Sequence, residues 1–79
     1  MPRYYFHLHN SIECRDEEGT QFDDQAAAKE QAVREARALI ADDVLSRGEV
    51  NLSHSIRVAD ESGEIVMVVT FADVVNIAH

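Results

Sequence analysis

The stretch from Ala26 to Leu45 contains neither glycine nor proline, the two residues that most often break a helix. Its apolar residues recur at spacings of three and four, which places them on one side of a helix. This stripe is alanine-rich in its first half and carries larger residues in its second half: Ala28, Ala32, Val33, Ala36, Leu39, Ile40 and Val44. The stretch therefore predicts one long helix whose first half approaches its neighbour closely.

Both ends of this helix carry suitable signals. Asp23 or Asp24 can accept a hydrogen bond from a free amide of the first turn, and Gly48 suits the left-handed position after the last turn. We therefore expect the helix to extend from the Asp23–Asp24 pair to Arg47.

Segments on either side of the helix are typical of strands. Alternation over Arg3–His9 places Tyr4, Phe6 and Leu8 on one face of a strand. The further predicted elements are a turn at Asn10–Ser11, a short return strand over 12–15, a brief extension over 20–22, strands over 52–59 and 65–71 around an Asp60–Gly63 hairpin, and a helical turn ending near Ile77.

These elements predict a single α+β domain over residues 1–79, with one long helix on a small antiparallel sheet in the order β-β-α-β-β plus a short C-terminal helical turn. A single helix covers one face of such a sheet. The second face is then either an association surface or is covered by the terminal segment 71–77.

Charge and cysteine content narrow the classes of partner. There are 15 acidic and 7 scattered basic residues, for a net charge of −8, whereas nucleic-acid binding needs clustered basic residues.

Cys14 is the single cysteine, so no internal disulfide can form, which favours a reducing, cytoplasmic location. The longest apolar run, 65–69, is too short to cross a membrane, and the N-terminus lacks the apolar core of a signal peptide.

Three histidines and the cysteine form a candidate metal-ligand set. His7 and His9 share one strand face, Cys14 belongs to the predicted neighbouring strand, and His54 lies in a later strand. Zinc takes three or four nitrogen and sulfur ligands, but the spacing matches no standard zinc motif. The alternative is structural: solvent-facing His7 and His9, a buried Cys14, and a half-buried His54 at the edge of the core.

No other chemical motif emerges. The acidic stretch 13–24 lacks the glycine and glutamate positions of a calcium-binding EF-hand loop. Ser53 and Ser55 flank His54, but consecutive strand residues point to opposite faces. No phosphate-binding loop or nucleophile motif is present. We therefore expect no catalytic residues and no cofactor.

Apolar residues on the uncovered sheet face predict an association surface. Its candidate residues are Tyr5, Val66 and Val68, and the alternative on the last strand is the pair Met67 and Val69. Pairing of two copies through this face or through an edge strand would cover it.

The order of motifs also resembles a known family. The opening Arg3–His9 strand, the acidic 16–20 segment, the alanine-rich helix, the 56–63 hairpin and Val69–Asp73 are similar to small bacterial domains of unknown function that open with an RYFFHLHDG-like strand. That family is common in alpha-proteobacteria. Asn10–Ser11 stands where the family has Asp-Gly, and Thr70 where it often has proline. The resemblance implies no activity or cofactor. With the patterns above, it predicts a cytoplasmic, non-enzymatic interaction module that forms homodimers or binds another protein, and the alternative is a metal-binding protein.

Overall fold

The computed structural model describes residues 2–10 and 13–78. Ser11 of the predicted turn and Ile12 of the predicted return strand lie outside these residues. In chain order, the elements are β1 (Arg3–His9), β2 (Glu13–Cys14), β3 (Thr20–Gln21), α1 (Gln25–Arg47), β4 (Ser55–Ala59), β5 (Ile65–Thr70) and α2 (Phe71–Val74).

The strands form one antiparallel sheet in the order β2-β1-β4-β5, and β3 pairs with the beginning of β1 on the same edge as β2. The predicted α+β class, with one long helix on a small antiparallel sheet, is confirmed. Directly opposed residues share a face of the sheet. The open face, which carries no helix, contains Tyr5, His7, His9, Ser55, Arg57, Ala59, Val68 and Thr70.

Helix α1 begins and ends at the predicted signals. Asp24 Oδ1 accepts a hydrogen bond from the Ala27 amide at 2.9 Å, and Gly48 has a φ of 68°. The buried side is the alanine stripe, since Ala28, Ala32 and Ala36 are each 0% exposed. Small side chains allow the helix axis to approach the sheet closely, as expected.

The end of α1 departs from the prediction. A helix of 23 residues is about 35 Å long, whereas the longest strand has 7 residues and spans about 23 Å. The last turns therefore extend beyond the sheet. Val44 is 50% exposed, so its assignment to the buried stripe is wrong.

Helix α2 packs on the same side of the sheet as α1. Phe71 and Val74 join the buried cluster that contains the α1 alanines, and Arg37 Nε donates to the Val74 carbonyl at 2.9 Å. This helix therefore leaves the open face uncovered, which contradicts the covering role considered for the terminal segment. It also ends at Val74 rather than near Ile77.

Strand β4 is shorter than predicted, because it begins at Ser55 rather than Leu52. The Asn51 side chain accepts hydrogen bonds from the Ser53 amide at 2.9 Å and the Ser53 hydroxyl at 2.6 Å. This Asx turn takes the place of strand pairing, so residues 52–54 are not part of a strand although their side chains alternate in polarity.

Candidate functional site

The two edges of the sheet differ in how their backbone groups are satisfied. In an antiparallel ladder, alternate residues direct their N–H and C=O groups to opposite sides of the strand. On the outer edge of β1, Leu8 is opposite Cys14 of β2 and Tyr4 is opposite Thr20 of β3. Phe6 lies between these pairs and has no strand residue opposite it on that side.

Asp16 fills this gap. Its Oδ2 accepts the Phe6 amide at 3.1 Å, and its Oδ1 accepts the amides of Glu18 at 3.2 Å and Gly19 at 3.0 Å. The Asp16 amide in turn donates to His7 Nδ1 at 3.0 Å. One side chain therefore replaces the missing part of the ladder and closes the β1 edge.

This environment changes the acidity of Asp16. Burial raises the pKa of the carboxyl, but the amides of Gly19, Phe6 and Glu18 and the nearby His7 outweigh that effect. The pKa is therefore lower than the ordinary value of 3.8. The charged form is the one that holds the loop.

The same loop covers part of the open face beside β1. Arg3 Nη1 donates to the carbonyls of Glu18 at 2.9 Å and Gly19 at 3.3 Å. Gly19 has a φ of 70°, and a Cβ there would lie 2.8 Å from both Arg3 Cγ and Tyr5 Cε2. Tyr5 is therefore half-buried against the loop rather than fully available to a partner.

Within the described residues, the β5 edge has no such closure. The Phe71 amide donates to the His54 carbonyl at 2.8 Å, which identifies this opposed pair as a hydrogen-bonded one. By alternation, Val69 and Met67 also direct their backbone groups toward β4. Val68 and Thr70 therefore direct theirs outward, where no described strand lies opposite them.

Side chains along β5 are apolar and accessible at two positions. Ile65 is 45% exposed and Val68 is 49% exposed, and Val68 lies on the open face opposite Arg57. A register shift between Val58 and Ala59 interrupts the alternation. Val66, on the strand opposite this shift, is partly buried and packs against the core. Of the three predicted interface residues, Val68 is thus the most accessible.

The candidate metal ligands are not brought together. Cys14 is opposite Leu8, so it lies on the face opposite His7 and His9, and it is exposed. Its predicted burial is therefore wrong. The lone pair of His7 Nδ1 is used by the Asp16 amide. Across residues 2–10 and 13–78, no group of three His, Cys, Asp or Glu side chains could hold a metal ion.

The other two histidines of the candidate metal set, His9 and His54, have different surroundings. The His54 ring contacts Phe71 edge-on with centroids 5.6 Å apart, which agrees with a histidine at the edge of the core. His9 Nδ1 is buried and has no hydrogen-bond partner among the described residues. The structure gives no support to the metal-binding alternative.

A concavity of about 530 Å³ lies on the open face between the Asp16 loop and the β4–β5 hairpin. Four carboxylates line it, and three of them hold backbone. Asp16 binds the amides described above, Glu61 accepts the Arg3 amide at 3.2 Å, and Asp60 accepts the Ser62 amide at 2.9 Å and hydroxyl at 2.6 Å. The Ser62 hydroxyl is the main reason that the pKa of Asp60 lies below its usual value. These acids stabilise loops.

Fold and edges together define a small α+β domain with one closed and one open sheet edge. Residues 3–72 match the model of a family described as a domain of unknown function, DUF6894, and the chain belongs to that family. No curated protein and no solved structure matches the chain. Neither described helix combines the length and hydrophobicity needed to cross a membrane.

Sequence reasoning missed the roles of Asp16 and Thr70. Asp16 lies within an acidic run that is typical of a solvated loop. The nearby Gly19 was the sequence feature that could have indicated a tight loop held by Asp16. Thr70 is the N-cap of α2, where its hydroxyl accepts the Asp73 amide at 3.2 Å. The Thr-x-x-Asp spacing could have indicated this cap.

Proposed function

We propose that this chain is a non-enzymatic protein-interaction module that self-associates in the cytoplasm of a bacterial cell. A second copy of the chain is the partner. The observation that carries the proposal is the contrast between the two sheet edges. Asp16 closes the β1 edge, whereas β5 ends the sheet.

Natural sheets protect their edges with charged residues, proline or irregular pairing. Residues 65–72 contain no charged residue and no proline. The register shift beside Val66 is the main irregularity of the strand. An edge of this composition is suited to pairing with another strand.

Three of the four carboxylates that line the open-face concavity hold backbone groups, which supports a non-catalytic role. The carboxylates of Asp16, Asp60 and Glu61 accept backbone hydrogen bonds at 3.0–3.2 Å, 2.9–3.1 Å and 3.2 Å respectively. A general acid or base must be free to exchange its proton with a substrate. These groups are instead used to hold loops.

An accessible Cys14 thiol supports the cytoplasmic location. The thiol is exposed and is the single cysteine of the sequence. In an oxidising compartment such a thiol forms intermolecular disulfides. A reducing compartment keeps it free, and association then depends on non-covalent contacts.

Sedimentation equilibrium of the full chain over micromolar to millimolar concentrations, with a reducing agent present, tests self-association. We expect the average mass to rise with concentration from 8.9 kDa toward twice that value. A mass that stays at the monomer value over the whole range would contradict the proposal.

A further inference from the structure

We infer that two copies join by antiparallel pairing of their β5 strands, about a two-fold axis that passes beside Val68. This inference rests on the proposed self-association and specifies its geometry. The result is one continuous sheet in which β5 and its copy are the two central strands.

The direction of the backbone groups restricts the register, and the exposure of Val68 selects the centre. Val68 and Thr70 direct their N–H and C=O groups away from β4, as the hydrogen bond from Phe71 to the His54 carbonyl requires. In a symmetric antiparallel pair, an outward-facing residue must meet another outward-facing residue. Centring the axis on Val68, the most exposed residue of β5, pairs it with its own copy and does not require Val66, which lies beside the register shift, to join the pairing.

The symmetry also determines where the helices lie. A two-fold axis that relates antiparallel neighbouring strands is perpendicular to the sheet, so both copies present the same face to the same side. Both α1 helices then lie on one side. The two open faces become continuous on the other side, and the Val68 side chains, each 49% exposed in the single chain, meet at the centre.

Charges near β5 favour a second copy despite the net charge of −8. No charged residue lies between Ile65 and Ala72, so the paired strands bring no like charges together. Lys29 of α1 and Asp73 of α2 border the groove beside Val68 and Val69. Both are exposed and neither has an ion pair among the described residues. Because Val68 lies at the axis and also borders this groove, pairing would bring the grooves of the two copies, each with one Lys29 and one Asp73, near each other.

Disulfide trapping tests the register. In a symmetric hydrogen-bonded pair the two Val68 Cα atoms would be about 5.5 Å apart, which is within the range that a disulfide bridges. The variant Cys14→Ser/Val68→Cys should therefore form a covalent dimer on mild oxidation at low micromolar concentration. The matched control Cys14→Ser/Leu45→Cys carries its thiol on an 87% exposed position of the projecting helix end and should remain monomeric.

A charge at the axis provides a second readout that needs no oxidation. Val68→Lys places two ammonium groups opposite each other, and we expect the dissociation constant to rise about tenfold or more. Leu45→Lys is the control and should leave it unchanged. Circular dichroism of both variants checks that the fold is retained.

The outcomes separate this inference from the proposed function. If the wild-type chain dimerises but Val68→Cys does not crosslink above the Leu45→Cys control, pairing through β5 is wrong while self-association stands. If the wild-type chain is monomeric at every concentration, both are wrong. Crosslinking at Val68 together with weakening by Val68→Lys supports the inferred pairing.

Discussion

The Phe6 amide donates to the Asp16 carboxylate at 3.1 Å, and this contact closes an edge of the sheet. Strands β2 and β3 pair with opposite ends of β1 and leave Phe6 between them. A carboxylate that accepts three amides substitutes there for a neighbouring strand. The same sheet has no equivalent group along β5 in the described residues, so the two edges are chemically unequal.

The stability of the fold should depend on the charge of Asp16. Its pKa is lower in the folded chain than the ordinary value of 3.8. Partial burial raises this pKa, but the hydrogen bonds from the three amides stabilise the ionised carboxylate and outweigh the effect of burial. The resulting stabilisation is complete above the unfolded pKa and is lost as the pH falls through the folded pKa. We expect the urea midpoint of the wild-type chain to fall below about pH 4.

The variant Asp16→Asn isolates this contribution in urea titrations from pH 7 to pH 2. It should be less stable than the wild type at pH 7, and the difference should shrink as the pH falls. Asp42→Asn, on the exposed surface of α1, is the control for the loss of one negative charge. An Asp16→Asn curve parallel to the wild-type curve at every pH would show that the carboxylate does not stabilise the loop.

Gly19 should tolerate a side chain less well than Gly63. Both have positive φ, at 70° and 87°, so alanine at either position costs about 1 kcal/mol of backbone energy. At Gly19 the added Cβ would also lie 2.8 Å from the side chains of Arg3 and Tyr5, whereas at Gly63 nothing lies within 4 Å. Thermal unfolding should therefore show a larger loss for Gly19→Ala than for Gly63→Ala. Equal losses would mean that the close contact is relieved without cost.

The alanine stripe of α1 should resist enlargement. Ala32 is 0% exposed against the sheet, so Ala32→Leu has no space for three more carbon atoms and should destabilise the fold by about 1–3 kcal/mol. Ala38→Leu makes the same change on the exposed side of the helix and should be nearly neutral. Chemical denaturation of both variants measures the difference. If Ala32→Leu matched Ala38→Leu in stability, the close approach of helix and sheet would not depend on this residue.

Much of the fold could be predicted because its signals are local. The cap at Asp24, the end at Gly48 and the buried alanines of α1 each follow from residues a few positions apart. The sequence also predicted that the helix covers one face of the sheet, but it left open whether the terminal segment 71–77 covers the other. Val44 was assigned wrongly because its exposure depends on how far the sheet extends beneath the helix. Helical periodicity carries no information about the extent of the sheet.

The candidate interface residues and metal ligands were predicted less well, because their relative positions depend on how the strands pair across the sheet. Tyr5, Val66 and Val68 differ in exposure: Tyr5 is half-buried beside Gly19, Val66 is partly buried against the core and Val68 is exposed. The register of β2 separates Cys14 from His7 and His9. A shift of one residue would have reversed that arrangement, because opposite faces alternate along a strand.

Local patterns thus determined the class of fold, the long helix with its ends and the presence of a small antiparallel sheet with the helix on one face. Tertiary structure decided which edge is closed, which backbone groups face outward and which histidines can meet. The physical reason is that periodicity and capping act between near neighbours in the chain. Strand register and edge protection arise between residues as distant as Phe6 and Asp16, or His54 and Phe71, whose meeting depends on how the whole chain folds.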